Sequence, residues 1–380
     1  MLLDHTKQHI TAVTRASGHL DLFAIGNDDR PVTTFWSATD GWRGEWMTLP
    51  GNTLIDHRTQ QITAIARQPG VLDLFAIDNQ GRPITTFWSA ASGSQDNPTG
   101  WRGDWMTLPG NTFLDHTTQR ITAVARKPGN IDLFAIGNDG RPVTTFWTAT
   151  DGWRGDWMTL PGNTFLDHTT QRITAVARKP GNLDLFAIGN DDKPITTFWT
   201  ATDGWRGDWM TLPGNPLINH RTQQISAVAR KPGNLDLFAI NNNDRVISTF
   251  WNAADGWRED WVTLPATLGG ETRLALDHTT QQLTVLVSKP AGVMFVTAVA
   301  PDGRQLGNGW SARGGWGACW GPVPGTTLLD HRTQQLAVVS RKPFLLDFFA
   351  IGNDDKPISI AFSGAGETGW SGDWFALPSH

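Results

Sequence analysis

Residues 115–163 read DHTTQRITAVARKPGNIDLFAIGNDGRPVTTFWTATDGWRGDWMTLPGN, and the fold follows from this stretch. Four short runs within it, ITAVA, IDLFAI, PVTTFWT and DWMTLP, are rich in β-branched and aromatic residues. The clusters KPGN, GNDGR and ATDGWRG that separate them are turn-forming. No run has a helical period, so each is read as a strand. Leu133, Phe134, Ala135 and Ile136 are apolar on both faces of their strand, which implies a sheet sandwiched between other sheets.

The same unit recurs along the chain. Its leading His is His5, His57, His116, His168, His220, His278 and His331, preceded each time by Asp except for Asn219. The spacings are 52, 59, 52, 52, 58 and 53 residues, so the period is near 52 with two insertions. These are SGSQDNP, around 94–97, and ATLGGETRLAL, around 269–276, both between patterned segments where loops tolerate length. One small sheet cannot bury both faces alone, and a four-stranded unit of this period stacks on its neighbours around a ring. The expected fold is all-β: one seven-bladed β-propeller with four antiparallel strands per blade. The blades are 1–52, 53–111, 112–163, 164–215, 216–272, 273–326 and 327–380, closing where the termini meet.

Composition narrows the function. The chain has 380 residues, of which 39% are hydrophobic and 18% charged, enough for a large core. Its net charge is -5 and its Lys and Arg are dispersed, so nucleic acid is not an expected partner. No apolar run approaches the roughly 20 residues of a membrane span, and MLLDHTKQH lacks the pattern of a signal peptide. The expectation is a soluble protein made in the cytoplasm, acting outside the cell after release by an unknown route. Cys319 is the single cysteine, which excludes an internal disulfide framework and a zinc site of several thiolates.

There are 20 Trp and no Tyr, and the Trp fall at three repeat positions. The end of the third strand holds Trp36, Trp88, Trp147, Trp199, Trp251 and Trp310, with Phe362 in the seventh blade. The loop before the fourth strand holds Trp42, Trp101, Trp153, Trp205, Trp257, Trp316 and Trp370. The fourth strand holds Trp46, Trp105, Trp157, Trp209, Trp261, Trp320 and Trp374. Any of these could simply fill wedges between blades. The second set is the best candidate for a ligand surface, because GWRGD is polar and Gly-flanked and should leave an indole partly exposed.

An exposed indole beside a charged donor suits a saccharide, whose apolar C–H face stacks on the ring while its hydroxyls take hydrogen bonds. The candidate carbohydrate-binding residues are therefore Trp42, Arg43, Trp101, Arg102, Trp153, Arg154, Trp205, Arg206, Trp257 and Arg258, with Trp36, Trp88, Trp147, Trp199 and Trp251. Gly317 and Ser371 replace the Arg in the last two blades, where binding should be weaker or different. The bland alternative for the Arg is stacking on a neighbouring Trp or pairing with Glu45, Asp104, Asp156 or Asp208.

The DHxxQ segment reads first as a hydrogen-bonded hub at the crossing between blades and second as a polar contact for ligand. A metal is not expected, since each copy offers one His and the copies do not converge. NDDR and NDDK, at Asp28, Asp29, Asp191 and Asp192, read as hairpin turns before they read as calcium ligands.

Catalysis needs one asymmetric constellation, whereas sevenfold repetition offers seven similar shallow sites. The absence of Tyr removes the nucleophile of a sialidase propeller, and no GxSxG, HExxH or phosphate loop occurs. No cofactor or enzymatic activity is expected. The repeat DHxxQxxxAVxRxPGxLDLFAIxxxxxPxTTFWxAxxGWxGDWxxLPG resembles, across essentially the whole chain, the PLL-type lectins. These are the Photorhabdus family of seven-bladed propellers that bind L-fucose and related, including O-methylated, glycans.

The resemblance implies sugar sites at blade interfaces, fucosylated or methylated cell-surface glycans as partners, no metal, and assembly into dimers or tetramers. Its site character is carried onto the loop Trp and Arg of blades one to five. GWGACW at 315–320 and GWSGDW at 369–374 depart from the pattern in blades six and seven. Cys319, in place of the usual Asp, is expected at the surface, bridging two protomers. The alternative function is a non-enzymatic scaffold that uses one face as a protein-interaction platform.

Overall fold

A computed structural model of the chain describes residues 2–92, 100–265, 267–268, 272–274, 276–288, 292–365 and 369–378. The first insertion, apart from Ser92, lies outside these residues. Of the second, the described part includes Thr267–Leu268 paired with Thr272–Arg273.

The architecture is a seven-bladed β-propeller. In the third blade the inner strand Thr122–Lys127 pairs with Asn130–Ile136, which pairs with Pro142–Thr148, all antiparallel. The outer strand is split: Gly152–Trp153 and Met158–Thr159 each pair with the third strand, separated by RGDW. The expected strand DWMTLP is thus only its Met-Thr core, and the GW of the expected loop is itself a strand. The other blades repeat this order, with Trp101 in blade two making an isolated bridge to Trp88.

The inner strands Thr11–Ala16, Thr63–Gln68, Thr122–Lys127, Thr174–Lys179, Ser226–Val228, Thr284–Ser288 and Ala337–Lys342 neighbour one another in a closed ring. The first also touches the last, so the ring closes without exchanging a strand. Side chains of successive residues leave opposite faces of a strand, so each blade feeds two cores. Seven buried clusters result among the described residues, one for each seam between blades. In the third blade Leu133 packs toward blade two, while Phe134 packs toward blade four. Fully burying one such side chain contributes about 2–3 kcal/mol, and no blade can realise this alone.

Polar links cross the seams as well. The Thr122 hydroxyl donates to the Ile173 carbonyl at 2.6 Å, and Thr11 and Thr63 repeat the contact with Ile62 and Ile121. Gln60 Nε2 donates to the carbonyls of His116 and Gln119, as Gln223 does to His278 and Gln281. At the closure Gln334 reaches His5 and Gln8 in the same way.

The repeated His latches the turn of the preceding blade. Asp29 Oδ1 accepts from the His57 backbone N–H at 3.0 Å and lies 2.6 Å from His57 Nδ1. Asp355 with His5, Asp192 with His220 and Asp244 with His278 repeat this geometry. These four Asp hold positive φ, between 59° and 64°, where Gly81, Gly140 and Gly303 stand in the other blades. The DH segment and the NDD turns are therefore parts of one structural hub. A second carboxylate, Asp4, Asp56 or Asp277, lies beside three of these His–Asp pairs and serves its own local turn: the carboxylates of Asp4 and Asp56, for example, cap Thr6 and Arg58.

Candidate functional site: notches at the blade seams

Between blades three and four a cavity of about 390 Å³ opens, lined among others by Arg126, Asp132, Phe146, Arg154, Trp199 and Trp205. The first four belong to blade three and the two Trp to blade four. Trp199 and Trp205 face the seam together because they are directly opposed in the antiparallel register. Trp205 meets Phe134 of blade three edge-on, with centroids 5.8 Å apart at 87°. The same Phe–Trp contact joins Phe349 to Trp42, Phe23 to Trp101, Phe75 to Trp153, Phe186 to Trp257 and Phe238 to Trp316.

Beneath the indoles lies a charge pair that a reading of strand patterns does not find. Arg126 Nε stands 3.3 Å from Asp132 Oδ2, and its Cζ is 4.2 Å from the centre of the Trp199 ring. Arg126 is aimed there by a register shift between Val124 and Lys127, a bulge that turns its side chain toward the next blade. The arrangement recurs in six seams, through Arg15–Asp21 with Trp88, Arg67–Asp73 with Trp147, Arg178–Asp184 with Trp251, Arg230–Asp236 with Trp310, and Arg341–Asp347 with Trp36.

Asp132 is only 4% exposed, and Asp132 Oδ2 and Arg126 Nε make no hydrogen bond within the chain. Burial pushes the carboxyls of Asp21 and Asp73 up to about 7, and those of Asp132, Asp184, Asp236 and Asp347 to about 6, against the opposing pull of each Arg. The notch between blades three and four thus has two indoles on one wall and, at its floor, a buried carboxylate and guanidinium with unused hydrogen-bonding capacity. Asp184 with Arg178 and Asp236 with Arg230 share that capacity, whereas Arg341 Nε donates to Asp347 Oδ2 at 2.5 Å.

The structure revises the sequence-based site. Trp153 and Arg154 are neighbours, but Trp153 faces blade two while Arg154 lines the notch toward blade four. The Trp and the following Arg of one repeat therefore serve different seams. Arg43, Arg102, Arg154, Arg206 and Arg258 lie over Phe35, Phe87, Phe146, Phe198 and Phe250 of their own blades, at 5.6 to 5.9 Å. None forms an ion pair with the nearby acidic residues among the described residues, so they stack, but on a Phe of their own blade and not on the neighbouring Trp expected.

The expected partial exposure of the second Trp set holds for Trp42, Trp153, Trp205 and Trp257 and fails for Trp101. Trp42, Trp153, Trp205 and Trp257 are half-buried, and Trp101 is 4% exposed, because they are strand residues packed at a seam. The first set, Trp36, Trp88, Trp147, Trp199 and Trp251, is half-buried under an Arg of the preceding blade. The third set wedges the outer part of the seams: Trp261 and Trp320 donate their indole N–H groups to the carbonyls of Pro213 and Pro265 across them.

The departures in the last blades converge on one seam. Ser288 and Phe295 stand where blade six would place the Arg and Asp, Gly317 replaces the loop Arg, and Phe362 replaces the Trp of blade seven. Phe295, Phe362 and Trp370 then pack together, and the remaining cavity is about 150 Å³. The inner hairpin of blade six runs in regular register, without the bulge. The seam between blades seven and one keeps Arg341, Asp347, Trp36 and Trp42, with Ser371 in place of the loop Arg. Cys319, expected at the surface, is half-buried and unpaired within the chain.

The fold and these notches define a class: a seven-bladed propeller with a repeated cleft of indole, guanidinium and carboxylate at its seams. The chain matches no family model and no curated protein. Among solved structures it is similar to the BP39L lectin from Burkholderia pseudomallei, with a TM-score of 0.77 and 15% identity over 98% of this chain and 99% of that one. It is also similar to AofleA from Arthrobotrys oligospora, with a TM-score of 0.56 and 12% identity over 85% of this chain and 87% of that one. At these identities the likeness establishes the propeller fold. Among the described residues no helix is long and apolar enough to cross a membrane.

Proposed function

We propose that this chain is a multivalent carbohydrate-binding lectin, without enzymatic activity, whose sites are the seam notches. The observation that carries the reading is the pairing of Trp199 and Trp205 with the buried Arg126–Asp132 pair in one cavity. A pyranose is apolar on one face and ringed by hydroxyls. Indole takes the first, while a carboxylate acceptor beside a guanidinium donor takes the second. The volume of the notch falls within the roughly 300–1,000 Å³ of small-molecule sites. The BP39L structure is that of a lectin, and the repeat resembles PLL-type lectins, which favours L-fucose and O-methylated glycans as ligands.

Repetition suits weak sites. A saccharide held at millimolar affinity gains only about 4 kcal/mol, and several such sites on a rigid ring raise avidity by about 10²- to 10⁴-fold on a dense glycan surface. Assembly into dimers or tetramers, with or without a bridge through Cys319, would multiply the sites again.

A specific observation favours the scaffold alternative. Leu2, Leu54, Phe113, Phe165, Leu217 and Leu328 occupy one repeat position and are 47 to 56% exposed, forming an interrupted apolar ring. A glycan array separates the two readings. A lectin binds fucosylated or methylated glycans and releases them to free L-fucose, whereas a scaffold propeller binds none.

A further inference from the structure

We propose a second binding site, independent of the saccharide notches, in the axial mouth of the propeller, for a tetrahedral oxyanion of the phosphate or sulfate type. The residue after each DHxxQ glutamine follows a buried Gln and precedes an Ile or Leu buried in a seam, so the chain turns it toward the axis. Four of the seven are glutamines. The others are His9, Arg120 and Arg172.

All of these but Gln61 border a cavity of about 340 Å³, with Lys7, Arg58 and Arg332 also in its lining. Five Arg and Lys side chains thus converge on one opening, and no carboxylate lines it among the described residues. Arg120 Nη1 donates to Gln61 Oε1 at 2.7 Å and Arg172 Nη1 to the Gln171 carbonyl at 3.0 Å, while the buried Arg120 Nε makes no hydrogen bond. Neither guanidinium forms an ion pair among the described residues.

The electrostatics agree with this geometry. Burial, with Arg120 as a second cause, pushes Arg172 down to about 10 and His9 to about 3, so His9 is neutral near pH 7. Two clustered guanidinium groups without a counter-charge are costly in a partly desolvated channel. A doubly charged oxyanion removes this cost and takes charge-assisted hydrogen bonds from both Arg, while the surrounding glutamine amides can supply neutral donors. The five cations lining the mouth raise the local concentration of anions there.

The test is calorimetric titration of the full chain with inorganic phosphate, inorganic sulfate and a sugar phosphate ester, at ionic strength held constant with chloride. The comparison protein carries Arg120→Gln and Arg172→Gln, the residue that four other repeats already use in this place. The expected results are saturable binding of one dianion per chain, at least about tenfold weaker in the double variant, and a variant that melts higher than the parent in chloride alone. Binding of the ester with comparable affinity would identify a phosphorylated or sulfated molecule as the source, and binding of the free ions alone would identify the ion; either upholds the site. Heats no larger than those of chloride, or a folded double variant with unchanged affinity, would overturn it. The single variant Arg172→Gln provides the same readout if the double variant does not fold.

Discussion

Arg126 of the third blade places its guanidinium carbon 4.2 Å from the ring centre of Trp199 in the fourth, and this one contact joins stability to the candidate site. The same guanidinium offsets the buried Asp132 charge at 3.3 Å. Wall and floor of the notch are therefore held by a single side chain.

Removing one partner of that pair should cost more than removing both. Arg126→Leu leaves the Asp132 carboxyl buried without its counter-charge, and a loss of about 3–5 kcal/mol is expected. The double change Arg126→Leu with Asp132→Leu should recover much of this loss, since blade six builds the same positions from Ser288 and Phe295. Urea unfolding of the three proteins measures the difference. Equal losses in the single and double variants would contradict the pairing.

Stability should fall as pH rises from about 4 to about 7. Six carboxyls have folded values raised from 3.8 to about 6 or 7, so across that window the folded chain binds more protons than the unfolded chain. Their destabilising effect is complete above about pH 7. Asp4, Asp167 and Asp277 act oppositely: hydrogen bonds from Thr6, Thr169 and Thr279 lower their values, and that stability is lost only as pH falls below about 4. Melting temperature followed across pH should peak near 4 and decline toward 7. In Asp132→Asn the decline should be shallower, and a flat profile in the parent protein would refute the assignment.

The turn at Asp29 should reveal the latch. Asp29 sits at φ 64° and holds His57, so Asp29→Ala loses the anchor and keeps the backbone cost, for about 1–3 kcal/mol. Asp29→Gly should lose less, because Gly140 occupies the same place at φ 78°. Thermal unfolding of the two variants orders them, and a glycine variant less stable than the alanine variant would argue against this account.

Binding stoichiometry should follow the seams, not the repeats. The seam between blades six and seven lacks the Arg, the Asp and one Trp, so six sugars per chain is the upper limit. Trp199→Ala should remove one of them and leave the rest unchanged, as read by calorimetry. A count of seven, or loss of all binding from this single change, would be incompatible with separate notches.

The propeller was legible because its evidence is repeated: DHxxQ, LDLFAI and the Trp spacings state the blade several times over. Of the candidate notch, only the indoles were legible. Asp132 lies inside the apolar run IDLFAI, where one charge reads as an interruption, and Arg126 precedes the KPGN turn, where it reads as surface. Their recurrence together in six blades and joint loss in blade six was the available signal. Trp153 and Arg154 were read as one unit because they adjoin, yet the two-residue period of a strand sends them to opposite seams.

The most direct test of the central claim is a crystal structure of the chain saturated with L-fucose. The account predicts the sugar in the seams, its apolar face on the indoles of Trp199 and Trp205 or their equivalents and its hydroxyls toward the Arg126–Asp132 pair, with the seam between blades six and seven empty. Sugar found only outside the seams, or none at saturating concentration, would contradict it.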